Sequence, residues 1–222
     1  MIELNKIYNS DFRDMIKDIP ENSLIITDPP YNMGVKYGNF KDSELTIDYI
    51  SLFYQFFGNK SVFIHYPEDT IRYICRALGT PNEVVSWVYN SNLPRQHRLI
   101  TWFGCYPNLS KITQPYKNME DSRIKKLVEK GSSGVPIYDW WNIEQVKNVS
   151  KEKEQYMNQI PEEVIGNIIK TTANRSDVIV DPFCGSGTTC AVAKKLGYDF
   201  IGIDQNEEAV EIANNRLQKI LI

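Results

Sequence analysis

The sequence predicts an α/β protein built on a doubly wound, mostly parallel sheet, and three observations predict it. Short apolar or β-branched runs alternate with helical patterns over most of the chain. One run, Val178–Val180, passes into a glycine turn that opens a helix. The run after that helix ends in a carboxylate, which is the order of parts in a nucleotide-binding βαβ unit.

The runs that read as strands are Lys6–Asn9, Leu24–Thr27, Ser61–His65 and Val178–Val180, with Asp199–Ile203 as a fifth. Helical periodicity falls at Asp11–Ile19, Ile47–Phe57, Glu68–Leu78, Pro161–Thr171, Thr188–Leu196 and Glu207–Leu221. From about Tyr106 to Lys153 the rhythm breaks. Pro107, Pro115, the run Gly131–Gly134 and Pro136 punctuate a polar stretch, and an irregular segment of this length inside a compact domain is usually functional or disordered.

Composition narrows the function. A hydrophobic content of 42% supports a large core, and 24% charged residues argues against a disordered chain. No apolar run approaches the ~20 residues that span a bilayer. The first residues carry an acid at Glu3 and no apolar leader, so cytoplasmic residence is expected. Cys75, Cys105, Cys184 and Cys190 are scattered without a CxxC pair, so neither a disulfide framework nor a zinc site is expected. The two imidazoles, His65 and His97, read as packed or surface residues, and no metal is expected. Net charge is −3, yet Asn90–Lys130 holds eight basic residues against three acidic ones. A basic surface on an acidic body suits a duplex held by its phosphates.

The sharpest local pattern is Asp181-Pro-Phe183-Cys-Gly185-Ser-Gly187-Thr188, between a buried strand and an alanine-rich helix. Glycines at 185 and 187 let backbone approach a ligand, and the helix start aims its amides and positive dipole end at the same place. Asp204 closes the next strand at the spacing from which an acid reaches ribose hydroxyls. Cys190 occupies the third glycine position of a dinucleotide fingerprint, and no Walker lysine follows, so neither of those sites is predicted.

The second pattern is Asp28-Pro29-Pro30-Tyr31-Asn32, directly after the strand Leu24–Thr27. Two prolines fix two φ angles and remove two donors, leaving carbonyls and a carboxylate as acceptors beside an aromatic ring. That set suits a flat ligand bearing an amino group.

Asp28–Tyr31 together with Asp181–Gly187 resembles the DNA adenine-N6 and cytosine-N4 methyltransferase family. The catalytic motif precedes the cofactor motif, the order of the circularly permuted β group. The resemblance implies a single Rossmann-like methyltransferase domain, with a catalytic half at 1–104, a target-recognition insert at 105–155 and a cofactor half at 156–222. It implies S-adenosyl-L-methionine as cofactor, held by Asp11, Asp28, Asp181, Phe183, Gly185, Gly187, Thr188, Asp204 and Gln205. It implies catalysis by Asp28, Pro29, Pro30 and Tyr31 on a base rotated out of the duplex. Asp at the first catalytic position favours adenine over cytosine N4, and the absence of a Pro-Cys motif disfavours cytosine C5. Double-stranded DNA is the expected partner, contacted by Asn32, Arg95, Arg98, Lys111, Arg123, Lys125 and Lys126. A homodimer and a restriction endonuclease from the same system are the further partners the resemblance suggests. Two positions depart from the family: Ile160 stands where lysine is common, and Arg98 where an acid is frequent.

Overall fold

Apolar runs too short for helices, each ending in a turn signal, pair side by side because a lone strand leaves its amides and carbonyls unmet. In the computed structural model, residues 2–30, 36–37, 40–41, 60–92 and 94–220 are described. The strands are β1 (Lys6–Asn9), β2 (Ser23–Thr27), β3 (Lys36–Tyr37), β4 (Phe40–Lys41), β5 (Ser61–His65), β6 (Glu83–Val88) and β7 (His97–Phe103), followed by β8 (Thr113–Gln114), β9 (Val135–Pro136), β10 (Trp140–Asn142), β11 (Val178–Asp181) and β12 (Phe200–Asp204). Eight of them form one sheet in the order β1-β12-β11-β2-β5-β7-β6-β10. All pairings are parallel except those of β7 with β5 and with β6. β3–β4 and β8–β9 are separate antiparallel pairs.

The five expected strands are present, to within a residue or so at their ends. Two strands of the main sheet were not expected, β7 and β10, whereas β6 falls, to within a residue, in Val84–Pro94, which with its Trp87 resembles the strand and loop that follow the family's catalytic half. β10 lies within the segment read as an insert, yet it extends the main sheet at β6.

The helices are α1 (Phe12–Met15), α2 (Pro67–Asp69), α3 (Cys75–Leu78), α4 (Ser122–Glu129), α5 (Glu162–Thr172), α6 (Thr188–Lys195) and α7 (Glu207–Gln218). α1 is capped by Asp11, whose side chain accepts from the Arg13 amide, and it passes into a 3₁₀ turn, Ile16–Asp18. α2 and α3 are joined by a π turn, Thr70–Ile74, so the helix expected over Glu68–Leu78 is one run with a bulge. The expected helix Ile47–Phe57 lies outside the described residues.

Period-two alternation sends neighbouring side chains to opposite faces of the sheet. Leu24, Ile26, Val62 and Ile64 join a core with Val164, Ile165 and Ile168 of α5 and Ala191 of α6. Ile25 and Phe63 join a second core with Phe12 of α1 and Ile74. Two cores on two faces make the doubly wound arrangement the alternation predicts.

Gly202 in β12 packs closely against the neighbouring strand β1 and against α6. A Cβ there would lie 2.4 Å from Ile7 Cδ1 and 2.8 Å from Cys190 Sγ. Gly202→Ala is therefore expected to lower unfolding stability by about 1–3 kcal/mol, the usual cost of overpacking, as a reduced urea midpoint at unchanged slope. An unaltered midpoint would show that Ile7 and Cys190 retreat without cost.

Candidate active site

The chain winds outward in opposite directions from the β11–β2 pair, so a crevice opens beyond the carboxyl ends of those strands. Asp28 follows β2 directly and Asp181 is the last residue of β11. Thr27 Oγ1 donates to Asp181 Oδ1 at 2.9 Å, and the Phe183 amide donates to the same oxygen at 3.1 Å. Burial pushes the Asp181 carboxyl up to about 7; the charge of Asp28 adds to the rise, and the hydrogen bonds oppose it.

The crevice holds about 1020 Å³ of empty space out to its mouth. Of the residues expected to act on cofactor or base, Asp28, Pro29, Pro30, Asp181, Phe183, Gly185, Thr188, Asp204 and Gln205 line it. Tyr31 and Asn32 lie outside the described residues. The opposite wall comes from Tyr156, Met157, Asn158, Gln159 and Ile160, just before α5. Of these, Tyr156 and Met157 went unnoticed in the sequence, where no glycine or charge marks them. Ile160 is 7% exposed and presents an apolar surface where the family commonly has lysine.

Asp204 holds the glycine turn in place. Its Oδ2 accepts from the Gly185 amide at 2.8 Å and its Oδ1 from the Asn206 amide at 2.9 Å. Burial raises its carboxyl above the ordinary value, and these two amides oppose the rise. Gly185 has φ +47°, and a Cβ there would meet the Tyr156 ring at 2.8 Å, so the turn is closed against the opposite wall.

Gly187, also expected to contact the ligand, caps α6 with φ +71° and is not among the residues that line the crevice. A Cβ there would lie 2.7 Å from Ala213 Cβ, so a glycine at 187 lets α6 dock closely on α7. Asp11 is also off the wall; it accepts from Gln205 Nε2 at 3.0 Å and reaches the crevice through that side chain. Burial disfavours its ionisation, and the bonds from Arg13 more than offset this, leaving its carboxyl below the ordinary value. Thr188 Oγ1 accepts from the buried Arg216, which also pairs with Glu162.

The basic residues divide sharply. Arg98, expected to grip DNA, is buried and sits 3.0 Å from Asp28 Oδ2. Charge counting along the sequence cannot see that β7 turns this side chain inward. Arg95, Lys111, Arg123, Lys125 and Lys126 are exposed. Arg95 pairs with Glu68 at 2.6 Å, Arg123 with Asp121 at 2.8 Å and Lys125 with Glu120 at 2.7 Å.

The family model for N6/N4 methyltransferases, described as DNA methylase, matches residues 23–215. The chain belongs to that family. The Type II methyltransferase M.BglII of Bacillus subtilis is 32% identical over 95% of this chain and 68% of its own. The DNA adenine methyltransferase YhdJ of Escherichia coli (strain K12) is 28% identical over 97% of this chain and 83% of its own. Among solved structures, the PvuII DNA methyltransferase, specific for cytosine N4, superposes with a TM-score of 0.70 at 17% identity, covering 97% of this chain and 87% of that one. The M1.HpyAVI–SAM complex gives 0.61 at 24% identity, covering 96% and 99%. These neighbours confirm the methyltransferase fold. The chain is thus a DNA methyltransferase of the adenine-N6/cytosine-N4 type. Among the described residues of this methylase, no group of three or more His, Cys, Asp or Glu is placed to hold a metal, and no helix is long and apolar enough to cross a membrane.

Asp181 gives the methylase a pH signature. Its folded value of about 7 lies above the ordinary 3.8, so its contribution to stability is full below pH ~4 and is lost as pH rises towards 7. Each pH unit crossed in that window costs up to about 1.4 kcal/mol. Asp181→Asn is therefore expected to gain stability relative to wild type between pH 5 and pH 8 in paired urea titrations. A constant difference across that range would show that Asp181 stays charged.

Proposed function

We propose that this methylase transfers a methyl group from S-adenosyl-L-methionine to the N6 amino group of adenine in double-stranded DNA. The observation that carries the reading is that Asp28 and Asp204 face one crevice, an acceptor set for an amino group at one end and a strand-end acid at the other.

The residues present fit the cofactor. Asp204 accepts one amide on each oxygen, which leaves lone pairs for ribose hydroxyls. Phe183, Ile160 and the Gly185 turn offer an apolar slot for the methionine part, and Gln205, steadied by Asp11, stands beside the ribose end. When bound, the cofactor supplies an electrophilic methyl on a sulfonium.

The target nitrogen is a poor nucleophile because its lone pair is delocalised into the ring. Asp28 and the Pro29 carbonyl accept its two N–H bonds, so the nitrogen rehybridises towards a usable lone pair, and Tyr31 stacks on the flipped base. The protein contributes position and acceptor electrostatics in a closed site. Asp at the first motif position supports adenine over cytosine N4, as does the likeness to the adenine methyltransferase YhdJ. Arg95, Lys111, Arg123, Lys125 and Lys126 grip phosphates. The small insert suits a short recognition site or a homodimer, with a restriction endonuclease acting on the same site in the cytoplasm.

The test is transfer from methyl-labelled cofactor to unmethylated duplex DNA, followed by nucleoside analysis. Label is expected in N6-methyladenine; label in N4-methylcytosine would reassign the base, and label only in RNA or protein would overturn the substrate. Asp28→Ala is expected to lower kcat by at least ~10²-fold, on the scale of losing a preorganised transition-state contact, with cofactor affinity within about threefold. Asp204→Ala is expected to weaken cofactor binding by roughly ten- to hundredfold in calorimetry, the worth of charge-assisted hydrogen bonds.

A further inference from the structure

A carboxyl that accepts from an amino group on either oxygen must be ionised, since its protonated form carries a donor, and it must be aimed before the base arrives. Asp28 sits on a loop, which by itself secures neither condition. Arg98 secures both. Its Nη1 lies 3.0 Å from Asp28 Oδ2, and its side chain is 4% exposed against 17% for that of Asp28. The guanidinium lies 5.0 Å from the Tyr66 ring centre and 5.4 Å from that of Trp87. Trp87 is the cross-strand partner of Arg98 in the β6–β7 register, and its own Nε1 is fixed on the Ile143 carbonyl at 2.7 Å. The cation is therefore held by strands, not by the loop it steadies.

We propose that Arg98 is a positioning residue for methyl transfer, holding the Asp28 carboxylate charged and in a fixed orientation at the crevice. The proposal rests on the reading of Asp28 as the amino-group acceptor. The groups around the pair are consistent with it. Asp181 of β11 feels the charge of Asp28, and His65 of β5, Tyr66 just after it and Tyr89 just after β6 face Arg98, while Asp69 of α2 lies 4.0 Å from His65. His65 is 1% exposed, and burial, followed by the charge of Arg98, lowers its imidazole to about 3, so it stays neutral and adds no second cation. A lysine could supply charge but not a planar fork fitted between two rings.

The test uses the full chain as wild type, Arg98→Gln, Arg98→Lys and Asp28→Asn, with the Arg98→Gln/Asp28→Asn double variant. Arg98→Gln is expected to lower kcat by ~10- to 100-fold, the usual cost of removing the residue that orients a site ligand, with cofactor affinity within about threefold. The acid limb of its kcat profile is expected to move to higher pH, because loss of a neighbouring cation favours the protonated carboxyl. In the Asp28→Asn background the same change is expected to add less than about threefold, since residues that act as a unit are non-additive. A rise in KM for DNA at unchanged kcat would overturn the proposal and return Arg98 to phosphate binding; so would an unmoved acid limb. Should Arg98→Gln fail to fold in thermal melts, Arg98→Lys decides, with reduced kcat expected and wild-type kcat overturning. A titration of ¹³C-carboxyl-labelled aspartates, with Asp28 assigned from Asp28→Asn, separates the two readings because it needs no turnover. If the wild type transfers no methyl to DNA, the functional reading fails. A higher Asp28 midpoint in Arg98→Gln would still uphold the pairing, and an unchanged one would overturn it.

Discussion

The hydrogen bond from Thr27 to Asp181 joins residues 154 apart in sequence, at the one place where the sheet reverses its order. Everything the methylase does depends on that join. β2 and β11 come from opposite ends of the chain and pair in parallel over Ser23–Ile25 and Val178–Val180. Only when they are in register do the loops beyond them face each other. A parallel pair closed over such a separation is costly in chain entropy, so the bond and the buried strands around it must hold it. Neither half of the chain makes the crevice alone.

From that join the site is built outward by backbone amides. Asp204 takes amides from the loops after β11 and after β12, so a single carboxylate fixes the glycine turn relative to the last strand. The turn in turn closes on Tyr156 from the opposite wall. The arrangement explains why a glycine stands at 185 and why an acid ends β12 even before any ligand is considered. On the proposed function, this one residue serves both the scaffold and the ribose end of the cofactor site.

Much of this was legible in the sequence because it is local. Period-two runs, a glycine turn and an acid at fixed spacing are all set within some thirty residues, and β11, α6 and β12 fall where those signals put them. What was not legible depends on distant partners. β7 pairs antiparallel with both β5 and β6 in a sheet whose other pairings are parallel, and that placement depends on two partners outside the strand itself. The packing of Gly187 against Ala213, 26 residues later, leaves no mark in the glycine motif itself. Arg98 looks like a surface cation because charge counting is blind to burial.

The same blindness overstates the basic surface and then explains how it can work. Arg95, Arg123 and Lys125 are already paired with carboxylates, but on exposed side chains where such pairs are worth little, about 0–1 kcal/mol. These cations can trade a carboxylate for a phosphate at small cost. In the Arg98–Asp28 pair the arginine is buried, and losing its partner would strand the Arg98 charge away from water. The chain therefore carries two populations of arginine and lysine with opposite duties. On the proposed function, the exchangeable ones would follow a DNA backbone of any sequence, while the fixed one would hold the acceptor at the crevice.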